Sequence, residues 1–264
     1  MELTVATATF RAKSAGRGES LVRAIESVAA LGFPHEHIVV DGGSSDGSTA
    51  LVEGRPAVKL VSEPDRGIYD ALNKALAAAR GEWFYVLGDD DEIIDGGVLA
   101  RALAFGERTG ADMVASPVVT DAGWTIGARP RNVLTGMAYP HQGLLVRTRR
   151  LRELGGFDLR YRIAGDYDSC LKLHLGGAKC RVFPEVYTRF SVGGLSRDLA
   201  AADAETVAAL ADRLALTSGE AEFVRRRRVL PLRRSLPLLV HRNRVIRRAA
   251  VHQLAKLLFG WIRR

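Results

Sequence analysis

Short β-rich runs alternate with helical periodicity through the N-terminal third of this chain, and three of the four runs end in a turn carrying an aspartate. Leu3–Phe10 is followed by Ser20–Leu31, where Leu21, Ile25 and Val28 repeat at helical spacing. His37–Val40 closes on Asp41-Gly42-Gly43-Ser44-Ser45-Asp46-Gly47. Val58–Ser62 passes through Glu63-Pro64-Asp65-Arg66-Gly67 into a helix with Ile68, Leu72 and Leu76 on one face and Gly81 just past its end. Trp83–Leu87 then leads into Asp89-Asp90-Asp91-Glu92. Strands separated by helices form βαβ units with right-handed crossovers, so the pattern predicts an α/β fold around a mostly parallel sheet. Open sheets of this kind bind ligands outside the carboxyl ends of their strands, which predicts Asp41, Asp65 and Asp89 along one edge.

Four acidic side chains packed together repel one another, and a divalent cation serving a phosphate ligand relieves that repulsion. The competing reading is helix capping: Asp95 is placed to cap the helix that follows, and its acidic neighbours favour the positive end of the dipole. Asp41 with its glycines fits turn chemistry, and Asp65 is equally suited to cap the Ile68 helix. A nucleotide, however, needs acceptors for its base and ribose, a metal for its diphosphate and the close backbone approach that glycines permit. The Asp41 stretch lacks the alternating ligands of an EF-hand calcium loop, and Gly16-x-Gly18 lacks the third glycine of a dinucleotide fingerprint.

The net charge of +8 over 264 residues is unevenly spread: residues 225–264 hold thirteen Lys or Arg and no Asp or Glu, leaving 25 basic and 30 acidic residues, a net −5, in 1–224. A mildly acidic globule with a basic tail implies an anionic partner for the tail, membrane phospholipid or nucleic acid. Cys170 and Cys180 lack metal-ligand spacing and are expected to be reduced, buried thiols of a cytosolic protein. No stretch approaches the ~18 apolar residues of a membrane span, and the start of the chain lacks signal-peptide features, so the body is expected to be soluble and cytoplasmic.

The runs Val39–Ser48, Glu63-Pro64-Asp65-Arg66-Gly67-Ile68-Tyr69-Asp70-Ala71-Leu72-Asn73-Lys74 and Gly81 through Asp91, in this order and spacing, resemble family 2 glycosyltransferases of the GT-A fold. The resemblance continues through Tyr139-Pro140-His141-Gln142, Tyr161–Asp168 and Phe190–Ser196 and spans residues 1–200, the predicted catalytic domain. It extends to non-processive envelope enzymes of the colanic-acid and phenolic-glycolipid type. It implies a nucleotide-diphosphate sugar, UDP- or GDP-linked, as donor and an inverting transfer to a hydroxyl of a lipid-linked or glycolipid acceptor. Asp89-Asp90-Asp91 resembles the DxD element: Asp89 and Asp90 would meet the nucleotide sugar, with Asp91 and Asp89 on Mn²⁺ or Mg²⁺. Thr7, Asp41, Asp65 and Arg66 correspond to further donor contacts, Arg66 pairing with diphosphate or with Glu63. Asp166 matches the catalytic base, at the opening of a helix Tyr167–Leu175, with Asp168 in reserve and helix capping as the alternative for both. His141, Gln142, Gly194 and Ser196 fall at the acceptor.

Two features depart from the family pattern. Phe10 and Arg11 stand where a Tyr-Asn pair is usual, followed by an insertion-like Lys13–Gly18 stretch. The Gln-x-x-Arg-Trp signature of processive synthases is missing, which points to addition of a single sugar. Residues 201–224 are expected to be a helical connection and 225–264 a basic amphipathic tail. In a helix Arg244–Trp261, Ile246, Ala250, Leu254, Leu257 and Trp261 would share a face with Arg244 and Arg248 largely opposite, the form of an interfacial helix. Cations at an anionic bilayer contribute about 1 kcal/mol each, which predicts peripheral docking on the inner face of the membrane. The alternative is packing of that helix on the globule or on a second subunit, and an oligomer stays open. Two other functions compete. A nucleic-acid-binding protein would use the tail, against which stand its few aromatics and its apolar face. A sugar nucleotidyltransferase would need a Gly-rich, Arg-bearing phosphate loop after the first strand, of which Ser14–Glu19 is a poor version.

Overall fold

The computed structural model describes residues 2–192, 198–227, 230 and 232–259. The strands β1 (Leu3–Thr9), β2 (His35–Asp41), β3 (Val58–Ser62) and β4 (Trp83–Val86) lie in the order β3-β2-β1-β4, all parallel. Their neighbouring side chains feed opposite layers. Leu3, Val5, Trp83, Tyr85 and Leu87 pack with one side's helices, α1 (Gly18–Ala29) and α3 (Gly96–Thr109). Ala6 and Phe84 pack on the other side with α2 (Ile68–Ala78) and α5 (Gly165–Leu175). Burial on both faces explains why β4 reads as a continuous apolar run and why β1 carries only apolar residues and threonines.

Beyond β4 the sheet continues through β9 (Leu144–Arg147), β6 (Met113–Ala115) and β10 (Cys180–Val182). The strand β9 is antiparallel to both β4 and β6 and is the exception in an otherwise parallel sheet. It starts directly after the turn His141–Gly143, so reversing this strand carries His141 back to the edge where β1–β4 end. A second sheet in the order β5-β11-β7-β8 is built from Glu92–Ile93, Thr188–Phe190, Val118–Thr120 and Thr125–Ile126. It ties the segment after the acidic cluster to Ser191.

The quoted motif around Asn73 is structural glue. Asn73 donates from Nδ2 to the Phe157 carbonyl at 2.9 Å and accepts from the Phe157 N–H at 2.8 Å. Lys74 donates to the Pro64 carbonyl at 2.8 Å and pairs with Glu63 at 2.9 Å, holding the β3–α2 turn. Asp95 caps α3 by accepting from the Val98 N–H at 2.9 Å, so the capping alternative is correct for this residue.

The C-terminal third is helical: α4 (Thr148–Glu153) precedes α5, and α6 (Leu199–Leu214), α7 (Ser218–Arg227), α8 (Leu232–Leu238) and α9 (Arg244–Phe259) follow. Val207, Leu210, Val224, Leu230, Ile246, Ala249 and Ala250 belong to the same apolar core as the sheet residues Ile38, Phe84 and Met113. The expected orientation of the tail helix is therefore corrected: its apolar face turns into the globule. A helix forms at Arg244–Phe259, but its Ile246 and Ala250 are buried in the globule, while Arg244, Arg248 and Val251 stay exposed. Trp261 lies outside the described residues. Cys170 and Cys180 are free and buried, as expected, and burial pushes the Cys180 thiol up to about 11.

Candidate active site

Local turn chemistry builds the rim. Asp41 is buried at the end of β2 and accepts from the Gly43 and Ser44 N–H groups at 3.1 and 2.8 Å, from the Ser44 hydroxyl and from the Ser62 hydroxyl at 2.8 Å. Its carboxylate braces the glycine turn and joins the ends of β2 and β3. Gly42 packs against Asp65 so tightly that an added Cβ would meet Asp65 Oδ2 at 2.7 Å, and the Gly42 N–H donates to the Thr9 carbonyl at 3.0 Å. Thr9 in turn donates its hydroxyl to Asp89 Oδ2 at 2.8 Å. Asp89, Thr9, Gly42 and Asp65 thus form one continuous line of contacts across the carboxyl ends of four strands. Asp65 accepts from the Gly67 N–H at 2.8 Å and makes no side-chain cap of α2, whose N-cap is Gly67. Arg66 pairs with Asp70 at 2.8 Å rather than with Glu63 and is exposed to solvent.

Thr7 does not open on this edge. It is fully buried, with its hydroxyl 3.0 Å from His37 Nε2, which corrects its expected place in the donor pocket. Thr9 lies two residues further along the same face of β1, at its carboxyl end, and that position reaches the site.

The three adjacent aspartates have different environments. Asp89 is paired with Arg17 Nε at 3.1 Å and bonded by Thr9, while Arg17 also donates to the Phe10 carbonyl at 3.1 Å. Arg17 comes from the stretch read as an insertion; it neutralises the first acid of the cluster and has no local signature. Asp91 is 2 % exposed. It accepts from the Ser191 N–H at 2.9 Å and the Gly88 N–H at 3.2 Å, and burial, with the Asp90 charge adding to it, pushes its carboxyl up to about 6. Asp90 is raised as well, by burial and then by Asp89. Asp90 and Asp91 reach a polar cleft of about 300 Å³ lined also by Arg23, Asp121, Arg189 and Ser191.

No group of three or more His, Cys, Asp or Glu converges as a metal cage among the described residues. Magnesium-type ions in phosphate chemistry draw only one or two carboxylates from the protein and complete their shell with substrate phosphate and water. Asp91, buried, and Asp90, half-buried, lie beside one cleft and fit such a half-site. Asp89 is engaged by Arg17 and Thr9, which leaves it less of its carboxylate to offer an ion than Asp91 has.

Asp166 sits at the N-terminus of α5. Its Oδ2 lies 3.2 Å from His141 Nδ1, its Oδ1 lies 3.3 Å from the Tyr69 hydroxyl, and its Oδ1 also accepts from the Tyr167 N–H at 2.7 Å. Burial alone would lower the His141 pKa, but the Asp166 hydrogen bond and the charges of Asp166, Asp91 and Asp90 outweigh it and leave it raised. The approach to α5 is gripped from two sides. Tyr69 donates to the Ile163 carbonyl at 2.6 Å, and Glu205 of α6 accepts from the Ile163 and Ala164 N–H groups at 2.7 and 2.9 Å. Glu205 thereby satisfies the open donors that precede the helix, a role no local pattern announces.

Asp168, the reserve base, is 0 % exposed and locked to Arg213 at 2.7 and 3.1 Å with Lys172 at 3.4 Å, so it is a structural ion-pair member. Gln142 is buried, and its carbonyl accepts from the Tyr85 hydroxyl at 2.8 Å. Gly194 and Ser196 lie outside the described residues. The edge therefore offers a carboxylate beside a histidine, next to a polar cleft whose acids invite a cation: the parts needed to accept a proton on one side and hold an anionic leaving group on the other.

Residues 5–165 match the family described as Glycosyl transferase family 2. A PGL/p-HBAD biosynthesis glycosyltransferase of Mycobacterium bovis is 29 % identical over 165 residues, covering 59 % of this chain and 61 % of that protein. The chain thus spans about three fifths of the length of that relative. The succinoglycan biosynthesis protein ExoO of Rhizobium meliloti is 39 % identical over 89 residues, 32 % of this chain and 26 % of that protein. Among solved structures, S. aureus TarS 1-349 superposes with a TM-score of 0.68 at 18 % identity, covering 98 % of this chain and 73 % of that one. The mannosyltransferase PcManGT from Pyrobaculum calidifontis, in complex with GDP-Man and Mn²⁺, superposes with a TM-score of 0.62 at 22 % identity, covering 97 % of this chain and 75 % of that one. These likenesses place the fold in the GT-A class.

Proposed function

The chain belongs to glycosyl transferase family 2, and from that membership we propose that it transfers a single sugar from a nucleoside-diphosphate donor to an acceptor hydroxyl with inversion at the anomeric carbon. The observation that carries this reading is the Asp166 carboxylate, 3.2 Å from His141 at the edge where the acidic cluster also ends. The acceptor oxygen forms a new bond to the anomeric carbon as the bond to the diphosphate breaks. The bonding pair leaves on the diphosphate oxygen, and the hydroxyl proton passes to Asp166. Tyr69 and His141 keep that carboxylate oriented, and Glu205 keeps its helix in place.

Asp91, with Asp90 beside it, is the side chain we assign to a Mn²⁺ or Mg²⁺ ion, which when bound neutralises charge on the departing diphosphate. Asp65 and Arg66 on the β3–α2 turn, Asp89 with Arg17, and the turn braced by Asp41 are proposed to border the nucleoside. The complexes of structural neighbours with UDP and with GDP-Man and Mn²⁺ support a UDP- or GDP-sugar as donor. His141, with the backbone at Gln142, borders the acceptor.

The relatives' roles in glycolipid and succinoglycan synthesis support a lipid-linked or glycolipid acceptor in envelope assembly. No helix among the described residues is long and apolar enough to cross a membrane. We assign contact with an anionic inner membrane surface to the exposed Arg244, Arg248 and Val251, with Val240, 85 % exposed, in the turn before α9. Sedimentation with anionic but not neutral vesicles tests this, and salt-insensitive or absent sedimentation overturns it.

The enzymatic test incubates the full chain with a panel of UDP- and GDP-sugars, with and without Mn²⁺, and reads released nucleotide. Asp166→Asn is expected to lower turnover at least 10²-fold with nucleotide affinity retained, and a chelator to abolish turnover. Unchanged turnover in Asp166→Asn removes the proposed base; full activity in chelator removes the ion.

A further inference from the structure

Asp166 and His141 have a second face. Besides facing each other at the strand edge, they close the polar end of a cavity of about 70 Å³ between the sheet and α2 and α5. Its walls are otherwise apolar, among them Leu72, Phe84, Leu144, Val146 and Leu173. Asp166, Ser169, Cys170 and Leu173 follow one another at helical spacing down one side of α5, so a single helix face leads from the carboxylate to the floor. Ser169 is 4 % exposed, and its hydroxyl has no hydrogen-bond partner among the described residues. A cavity that stays dry is apolar all round; this one ends on the proposed base and carries an orphaned hydroxyl, so it is suited to a ligand with a polar atom.

We propose that this cavity is an acceptor subsite, taking a short apolar substituent of the molecule whose hydroxyl Asp166 deprotonates. The inference rests on Asp166 being the base. Its volume is about half of the roughly 150 Å³ that accommodates a benzene ring in an apolar protein cavity, so it has room for about three carbon atoms. The Ser169 hydroxyl is placed to donate to an ether or carbonyl oxygen on that substituent. The acceptor is thereby defined as a molecule with a compact apolar group beside its reactive hydroxyl, not a uniformly polar sugar face.

Simple alkanols test this, since the hydroxyl can meet Asp166 while the chain enters the cavity. With the nucleotide sugar most readily turned over, transfer to methanol, ethanol, propanol, butanol and hexanol is measured for the full-length protein. Burial of each CH₂ stabilises the complex by about 0.8 kcal/mol, so efficiency should rise about fourfold per carbon up to propanol and then level. Leu173→Phe, and the gentler Val146→Leu should the first fail to fold, fill the cavity and should flatten that rise. Saturable propanol-induced shifts of the Leu72, Leu144 and Leu173 methyl resonances, absent with methanol and lost in Val146→Leu, read the same subsite without any donor. If propanol moves none of these methyls, or if the filled variants keep the chain-length dependence and melt higher, the cavity is a packing defect only and the inference is overturned. Propanol binding in a protein that turns over no nucleotide sugar would sink the transfer reading and leave the subsite standing.

Discussion

Removing Arg213 should damage the fold far more than neutralising the aspartate it holds, and the asymmetry separates structural from catalytic acids on α5. Asp168 is 0 % exposed, with Arg213 Nε at 2.7 Å and Nη2 at 3.1 Å. Arg213 also reaches Asp158 at 2.9 Å, and its side chain is 25 % exposed. Stranding a buried charge by deleting its partner costs about 3–5 kcal/mol. Lys172, 3.4 Å away, remains in Arg213→Met and offsets part of this, so the lower figure, about 3 kcal/mol, applies. In Asp168→Asn the amide oxygen still accepts one bond and the part-exposed guanidinium can hydrate, which limits the loss to about 1 kcal/mol. At roughly 2–4 °C per kcal/mol for a chain of this size, Arg213→Met should melt about 6–12 °C lower and Asp168→Asn about 2–4 °C lower. Thermal denaturation followed by circular dichroism measures both, and nucleotide release at a temperature where each variant is folded measures turnover. Asp168→Asn should keep most of its turnover. An Asp168→Asn protein that melts like the wild type yet is inert would refute the reasoning and move the base to Asp168.

Three further outcomes are expected. Glu205→Ala should lower kcat roughly 10- to 100-fold with the donor KM unchanged, because α5 and its Asp166 lose their backbone grip, and Glu205→Gln should restore activity by accepting the same two N–H groups; equal losses in both variants would exclude the positioning role. His174, buried with Tyr139 3.1 Å from Nε2, has its pKa lowered to about 4 by burial, and the unfolded chain, binding its proton near pH 6.5, is favoured as pH falls. Stability from this residue is therefore complete above about pH 6.5 and should drop by about 2 kcal/mol between pH 7 and pH 5, a slope that urea titrations should find reduced in His174→Gln. Gly165→Ala would set a Cβ 2.7 Å from the Tyr69 ring, and displacement of Tyr69 should depress turnover at least tenfold with a melting loss of about 1–3 kcal/mol; a fully active variant would show that Tyr69 does not orient Asp166.

Much of the catalytic edge was legible because it is written in local chemistry. The strands before Asp41, Asp65 and Asp89 carry apolar residues on both faces, and the glycines at 42 and 43 mark a turn that only close packing explains. The environment of each acid was not legible. Asp89 and Asp91 are equivalent letters in one run, yet Arg17, 72 residues away, claims the first and the Ser191 N–H, 100 residues away, holds the second. Thr7 and Thr9 share a strand, a face and a residue type; their depth along the strand gives one to His37 and the other, at the strand's end, to Asp89. The tail shows the same limit, since periodicity reveals that α9 has an apolar face but not that the globule covers it.

Order along the chain was enough to establish the strand–helix alternation, the edge at which ligands gather and the family, because hydrophobic periodicity and turn geometry act over a few residues. Which carboxylate is neutralised, which is buried without a countercharge and which stands beside a cavity was decided by folding alone. Charge state depends on desolvation and on partners brought from distant segments, as Arg213 is to Asp168 across 45 residues.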